Sequence, residues 1–199
     1  CANLLRVWPE GRVAEAVRRL LRIHTDRIFD PQTGHLNLFF DARWQPQGRK
    51  VSYGHDIETS WLLTEAAEAL GDPEVIGRCR KVALELADAS LKEGINPMGA
   101  MMYERHKDKI RKDASWWCQA ETVVGCINAW QLTGEQSYLD SAVRTWNFIK
   151  SRMIDKEYGE WFRTVLEDGT PRYKEPKASM WNCPYHNSRM GFEIDTRQK

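Results

Sequence analysis

The stretch YGHDIETSWLL, residues 53–63, decides how this chain reads. His55 and Glu58 stand three apart at the mouth of an apolar, helical run, and Trp61 follows one turn later. Residues three or four apart share a helix face. The periodicity predicts a helix over residues 56–70, with Ile57, Trp61, Leu62, Ala66 and Leu70 on one stripe and Gly71 as its C-cap.

The format recurs on both sides. Residues 11–24 place Val13, Val17, Leu20, Leu21 and His24 together. Residues 73–92 open with Asp72 as N-cap and Pro73 at the first helical position. Helices are also predicted over 115–132, ending at Gly134, over 136–154, and from near Asn187 onward. Short turns (LGDPE, LTGEQ) join the members of a pair, whereas the long connections 25–54, 93–114 and 155–185 join one pair to the next. Those connections hold strand-like fragments: HLNLFF, AMMYER and GEWFRTVLEDGTPRYK, the last with the alternation and DG turn of a β-hairpin. A recurring long loop, helix, short turn, helix is how an all-α toroid is built. Six helices predict half of an (α/α)6 six-hairpin barrel, a single incomplete domain over residues 1–199 with short β-hairpins in its long loops.

Composition narrows the function. The 29 basic and 28 acidic residues leave a formal charge of +1, unlike the basic footprint of a nucleic-acid binder. No apolar run reaches the roughly 18 residues of a membrane span. Five cysteines without CxxC pairs predict free thiols in a reducing, cytoplasmic compartment and no zinc site. Nine tryptophans are many for 199 residues; buried Trp is usually core, but its flat ring also suits the apolar faces of sugars.

Each predicted inner helix follows a long loop, and each junction carries a polar, aromatic cluster: YGHDIE with Trp61, SWWCQAE at 115–121, and WNCPYHNSR at 181–189. His55 and Glu58, Trp117 and Glu121, and His186 and Arg189 pair at helical spacing. A carboxylate beside an imidazole orients it and raises its basicity, as a general base requires. Each cluster also has an ordinary reading. A lone His beside an apolar helix is most often a structural hydrogen-bonding residue, and at least one of Trp116 and Trp117 must face the packing. A His-x-x-Glu pair needs further ligands to hold a metal, and no HExxH pattern is present. It is the occurrence of three clusters at matching junctions that points to a shared site. His24, His35 and His106 lack such company.

YGHDIETSWLL, WWCQAETVVG and WNCPYHNSRM resemble the C-terminal signature stretches of the cellobiose 2-epimerases, within the N-acylglucosamine 2-epimerase superfamily, and GHLNLFFDARW resembles the segment before the first. The resemblance runs from about Asn3 to Ile194. It implies inversion at C2 of a reducing-end glucose, with His55 and His186 as the acid/base pair. Glu58, Trp61, Trp116, Trp117, Glu121, Trp181 and Arg189 would bind the sugar, and no metal or other cofactor would be needed. The family is about twice this length, so the chain is expected to be a C-terminal half that lacks an arginine and an Asn-x-x-x-His pair. It would pair with the N-terminal half or with another copy. Two other functions fit the toroid. A six-hairpin glycoside hydrolase would use two carboxylates among Asp56, Glu58 and Glu121, and a half-barrel could bind sugar or a partner without catalysis.

Overall fold

The computed structural model describes residues 1–182 and 184–198; Cys183, counted above among the free thiols, lies outside the described residues. The helices are α1 (Ala2–Val7), α2 (Gly11–Ile23), α3 (Tyr53–Leu70), α4 (Pro73–Gly94), α5 (Trp116–Thr133), α6 (Gln136–Phe148) and α7 (Tyr185–Arg197). Helix α5 is buried along most of its length and α3 along half of its residues, and the two pack on each other. Helix α1 lies against α3, and α7 against α5, which completes an inner layer; α4 covers α3 and α6 covers α5 from outside. This is about half of an (α/α)6 toroid.

The caps are those the residues dictate. Gly71 ends α3 at φ 73 and Gly134 ends α5 at φ 77, a left-handed conformation that glycine adopts without penalty. The Asp72 side chain accepts from the Glu74 and Val75 N–H groups, with Pro73 at the first helical position.

Several boundaries differ from expectation. Helix α3 starts three residues early, at Tyr53, because Gly54 lets its first turn lie directly against Trp117 and Cys118. The predicted 136–154 helix is α-helical only to Phe148 and continues as a π-helical turn, Ile149–Met153, that buries Ile149 and Met153. Helix α7 begins at Tyr185 rather than near Asn187.

Among the loops, β1 (Phe29–Asp30) pairs with β2 (His35–Leu36), and β3 (Lys50–Val51) pairs with β4 (Glu104–His106), which in turn pairs with β5 (Lys109–Arg111). The hairpin read in residues 159–174 is reduced to one bridge between Val165 and Pro171. Its strand, β7 (Thr164–Val165), pairs instead with β6 (Ala114–Ser115), and the Arg163 carbonyl accepts from the Trp116 N–H. The third long loop is thereby tied to the start of α5.

Two flanks stay open. Leu20 and Leu62, placed on apolar stripes by periodicity, are 42% and 38% exposed and line a groove of about 260 Å³ with Val17, Leu63 and Ala66. At the other end, Ile127, Val143, Trp146, Met190 and Ile194 line a groove of about 420 Å³. No helix among the described residues is long and apolar enough to cross a membrane.

Candidate active site

The first turns of α3, α5 and α7 and the loop before α7 line an open cavity of about 520 Å³. His55 and Glu58 line it from α3, Trp116 and Trp117 from α5, and Tyr185 and His186 from α7. The two imidazoles flank one indole. The ring of Trp117 lies 4.8 Å from that of His55 and 5.6 Å from that of His186, centre to centre.

Each imidazole is held by one nitrogen. Ser52, at the N-cap of α3, turns its hydroxyl to His55 Nδ1 at 2.7 Å instead of to a backbone N–H. His55 is otherwise exposed. His186 is 7% exposed and gripped more firmly. Its Nδ1 donates to Glu121 Oε1 at 2.6 Å, and its ring sits edge-on to Trp116 at 5.2 Å. A carboxylate partner requires the proton on Nδ1, so neutral His186 carries its lone pair on Nε2.

Glu121 is the hub beneath His186. It is 1% exposed, and its Oε2 accepts from Trp61 Nε1 at 2.9 Å. Its Oε1 accepts from Arg189 Nη2 at 2.7 Å as well as from His186. The same Arg189 nitrogen donates to Glu58 Oε1 at 2.5 Å, and the guanidinium lies 5.2 Å from the centre of the Trp61 ring. Burial works against the charge of Arg189, but its hydrogen bonds to Glu121 and Glu58 and their charges raise its pKa further above the ordinary value.

The structure therefore sorts the predicted residues into two layers. His55, Glu58, Trp116, Trp117, Trp181 and His186 line the cavity, with Trp181 at its rim and 80% exposed. Trp61, Glu121 and Arg189 sit behind its wall, where they tie α3, α5 and α7 together. Glu58, Glu121 and His186 bring three donor atoms within 4.8 Å of one another, near enough to share a metal ion. The cation among them is the Arg189 guanidinium, bonded to both carboxylates and 3.3 Å from His186 Nδ1.

Sequence reading missed Tyr103 and Arg163, which also line the cavity from loops. It missed Ser52 as well, although a serine three residues before a histidine at a helix start was a usable signal.

Inner helices converge here on one cavity that holds two imidazoles and indole walls, and the comparisons name the family. Residues 7–187 match the family model described as N-acylglucosamine 2-epimerase (GlcNAc 2-epimerase), and the chain belongs to that family. It is 43% identical over 194 residues to a cellobiose 2-epimerase of Bacteroides fragilis, covering 96% of this chain and 49% of the relative. It is 39% identical over 200 residues to that of Ruminococcus albus, covering 98% and 50%. The crystal structure of a sugar epimerase from a ruminal bacterium superposes with a TM-score of 0.95 at 36% identity, over 100% of this chain and 51% of the other. The chain spans about half the length of the curated relatives it matches.

Proposed function

We propose that the protein carrying this chain inverts C2 of the reducing-end glucose of cellobiose-type β-1,4-disaccharides, with His55 and His186 as the acid/base pair. The observation that carries this reading is the placement of both imidazoles in one cavity beside Trp117, each held by Nδ1 so that Nε2 is the nitrogen left for substrate. The sugar ring opens to the C1 aldehyde, which acidifies the C2 hydrogen. One Nε2 takes that proton, and the electrons pass to C1–C2 and the carbonyl oxygen as a cis-enediol(ate). Rotation about C2–C3 presents the opposite face, and the other imidazolium returns a proton to C2 there. The reverse reaction exchanges the two roles, which suits groups that accept and donate near neutrality. Positioned proton transfer of this kind contributes roughly 10²–10⁴-fold per group. Glu58 and the Trp117 and Trp181 rings hold the sugar, and the Trp61–Glu121–Arg189 layer holds His186.

Incubating the whole protein with cellobiose in D2O tests this. Glucosyl-mannose carrying deuterium at C2 is the expected product. Release of free glucose would mark a hydrolase instead, and sugar binding without exchange a non-catalytic module. A chelator should leave the rate unchanged, because a guanidinium already fills the place of a cation; loss of activity restored by one divalent ion would sink the cofactor-free mechanism.

In this reading further helices of the same toroid cover the two apolar flanks, since contiguous apolar patches beyond a few hundred Å² are rarely left open on a monomer.

A further inference from the structure

His35 has no use in the mechanism above, yet it is 2% exposed and lies within reach of two carboxylates. Its Nδ1 donates to Asp56 Oδ2 at 2.8 Å, while Asp56 Oδ1 accepts from the Leu36 N–H at 3.0 Å. Two adjacent residues of β2 thus grip both oxygens of one fully buried carboxylate. On its other side, His35 Nε2 lies 3.3 Å from Glu93 Oε2, a contact that pairs charges when the imidazole is protonated. Glu93 Oε2 in turn accepts from Arg105 Nη2 at 2.9 Å. Arg105 stands on β4 directly opposite Val51 of β3.

The chain of contacts closes on itself. Val51 precedes Ser52, whose hydroxyl holds His55 Nδ1, and Asp56 follows His55. Asp56, the residue after the imidazole, and Val51, which leads into Ser52, are therefore tied to one network, buried at His35 and Asp56 and partly exposed at Glu93 and Arg105. A buried ion pair is weak evidence for stability, because well-packed apolar residues often serve as well. It is a better means of fixing one arrangement, since a charge stranded without its partner disfavours every other.

We infer that His35, Asp56 and Glu93 are positioning residues that lock the first turn of α3 and thereby place His55 and Glu58 against the cavity. The inference rests on the catalytic reading of His55, and its test separates the two.

In the whole protein, His35→Phe keeps a ring but removes both nitrogens, whereas His35→Asn keeps a donor close to the place of Nδ1. His35→Phe is expected to lower kcat by up to about 10²-fold, the scale of a misplaced reacting group, with KM little changed, and His35→Asn to recover most of it. The histidine side-chain resonances in NMR provide the second readout. Those of His55 should move in His35→Phe and return in His35→Asn, while those of His186, held from α5, stay in place. Should His35→Phe not fold, Asp56→Asn keeps the shape, removes the charge and is expected to move His55 in the same way. A lowered melting temperature with unmoved His55 resonances and unchanged kcat would reduce the network to scaffolding. If the wild-type protein epimerises nothing, the proposed function fails, and the NMR comparison still decides the positioning role.

Discussion

Glu121→Ala is expected to destabilise the protein by about 3–5 kcal/mol, the scale of breaking one side of a buried charge network, and to abolish turnover. Glu121 serves three donors: the Trp61 indole, His186 Nδ1 and the Arg189 guanidinium. With alanine there, the indole N–H loses the carboxylate that accepts from it at a site 2% exposed, and Arg189 retains Glu58. His186 loses the group that sets its tautomer. Glu121→Gln separates the two losses. The amide keeps the volume and one acceptor oxygen, so stability should fall less. Its NH2 group, however, can donate to His186 Nδ1 and transfer the imidazole proton to Nε2, the nitrogen the reaction needs bare. A wrong tautomer with intact geometry removes most of a general base's contribution, here roughly 10²–10⁴-fold in kcat. Denaturant titration and steady-state epimerisation of both variants provide the check. A Glu121→Ala protein with wild-type stability and turnover would show that the hub is incidental.

Much of this arrangement was legible in the sequence because it is carried by local spacing. Helical periodicity, Gly71 and Gly134 as terminators and Asp72–Pro73 as a start all concern residues a few positions apart, and all are found in the fold. The junction clusters were visible for the same reason: His55 and Glu58 share a turn, as do His186 and Arg189. What escaped depends on contacts between distant segments. Trp117 and Glu121 were read as a pair on one face and both do meet His186, but the further partners of Glu121 on α3 and α7 could not be read from spacing. Strand alternation in residues 159–174 suggested a self-paired hairpin, which is kept as one bridge, but it gave no sign of the added pairing with β6, some fifty positions earlier. His35 looked ordinary because its carboxylates lie 21 and 58 positions away, at Asp56 and Glu93. Leu20 and Leu62 had the periodicity of core residues and lie on an open flank, because periodicity identifies an apolar face without saying what covers it.

Gly54→Ala is expected to reverse the usual sign of a glycine-to-alanine change in a helix. Propensity alone favours alanine by about 0.8–1 kcal/mol at an interior helical position. Gly77 on α4 offers the reference case, exposed and with nothing within 4 Å of where a Cβ would lie, so Gly77→Ala should gain about that much. At Gly54 the same Cβ would lie 2.5 Å from Cys118 Sγ and 2.6 Å from Trp117 Cη2. Neither neighbour can yield cheaply. Cys118 is 0% exposed within the crossing of α3 and α5, and Trp117 is wedged between His55 and His186. Overpacking of this kind costs about 1–3 kcal/mol, enough to cancel the propensity gain and leave a net loss. Relief must come from the first turn of α3 or from the Trp117 ring, and each of these carries the site. Turnover should therefore fall by about 10²-fold even in the folded fraction, as expected for a displacement near 1 Å. Unfolding midpoints and kcat of Gly54→Ala beside Gly77→Ala would show this as opposite shifts in stability with activity lost in the first alone. A Gly54→Ala protein as stable and as active as Gly77→Ala would mean that the helix crossing has slack, and that the distances around Trp117 do not control the chemistry.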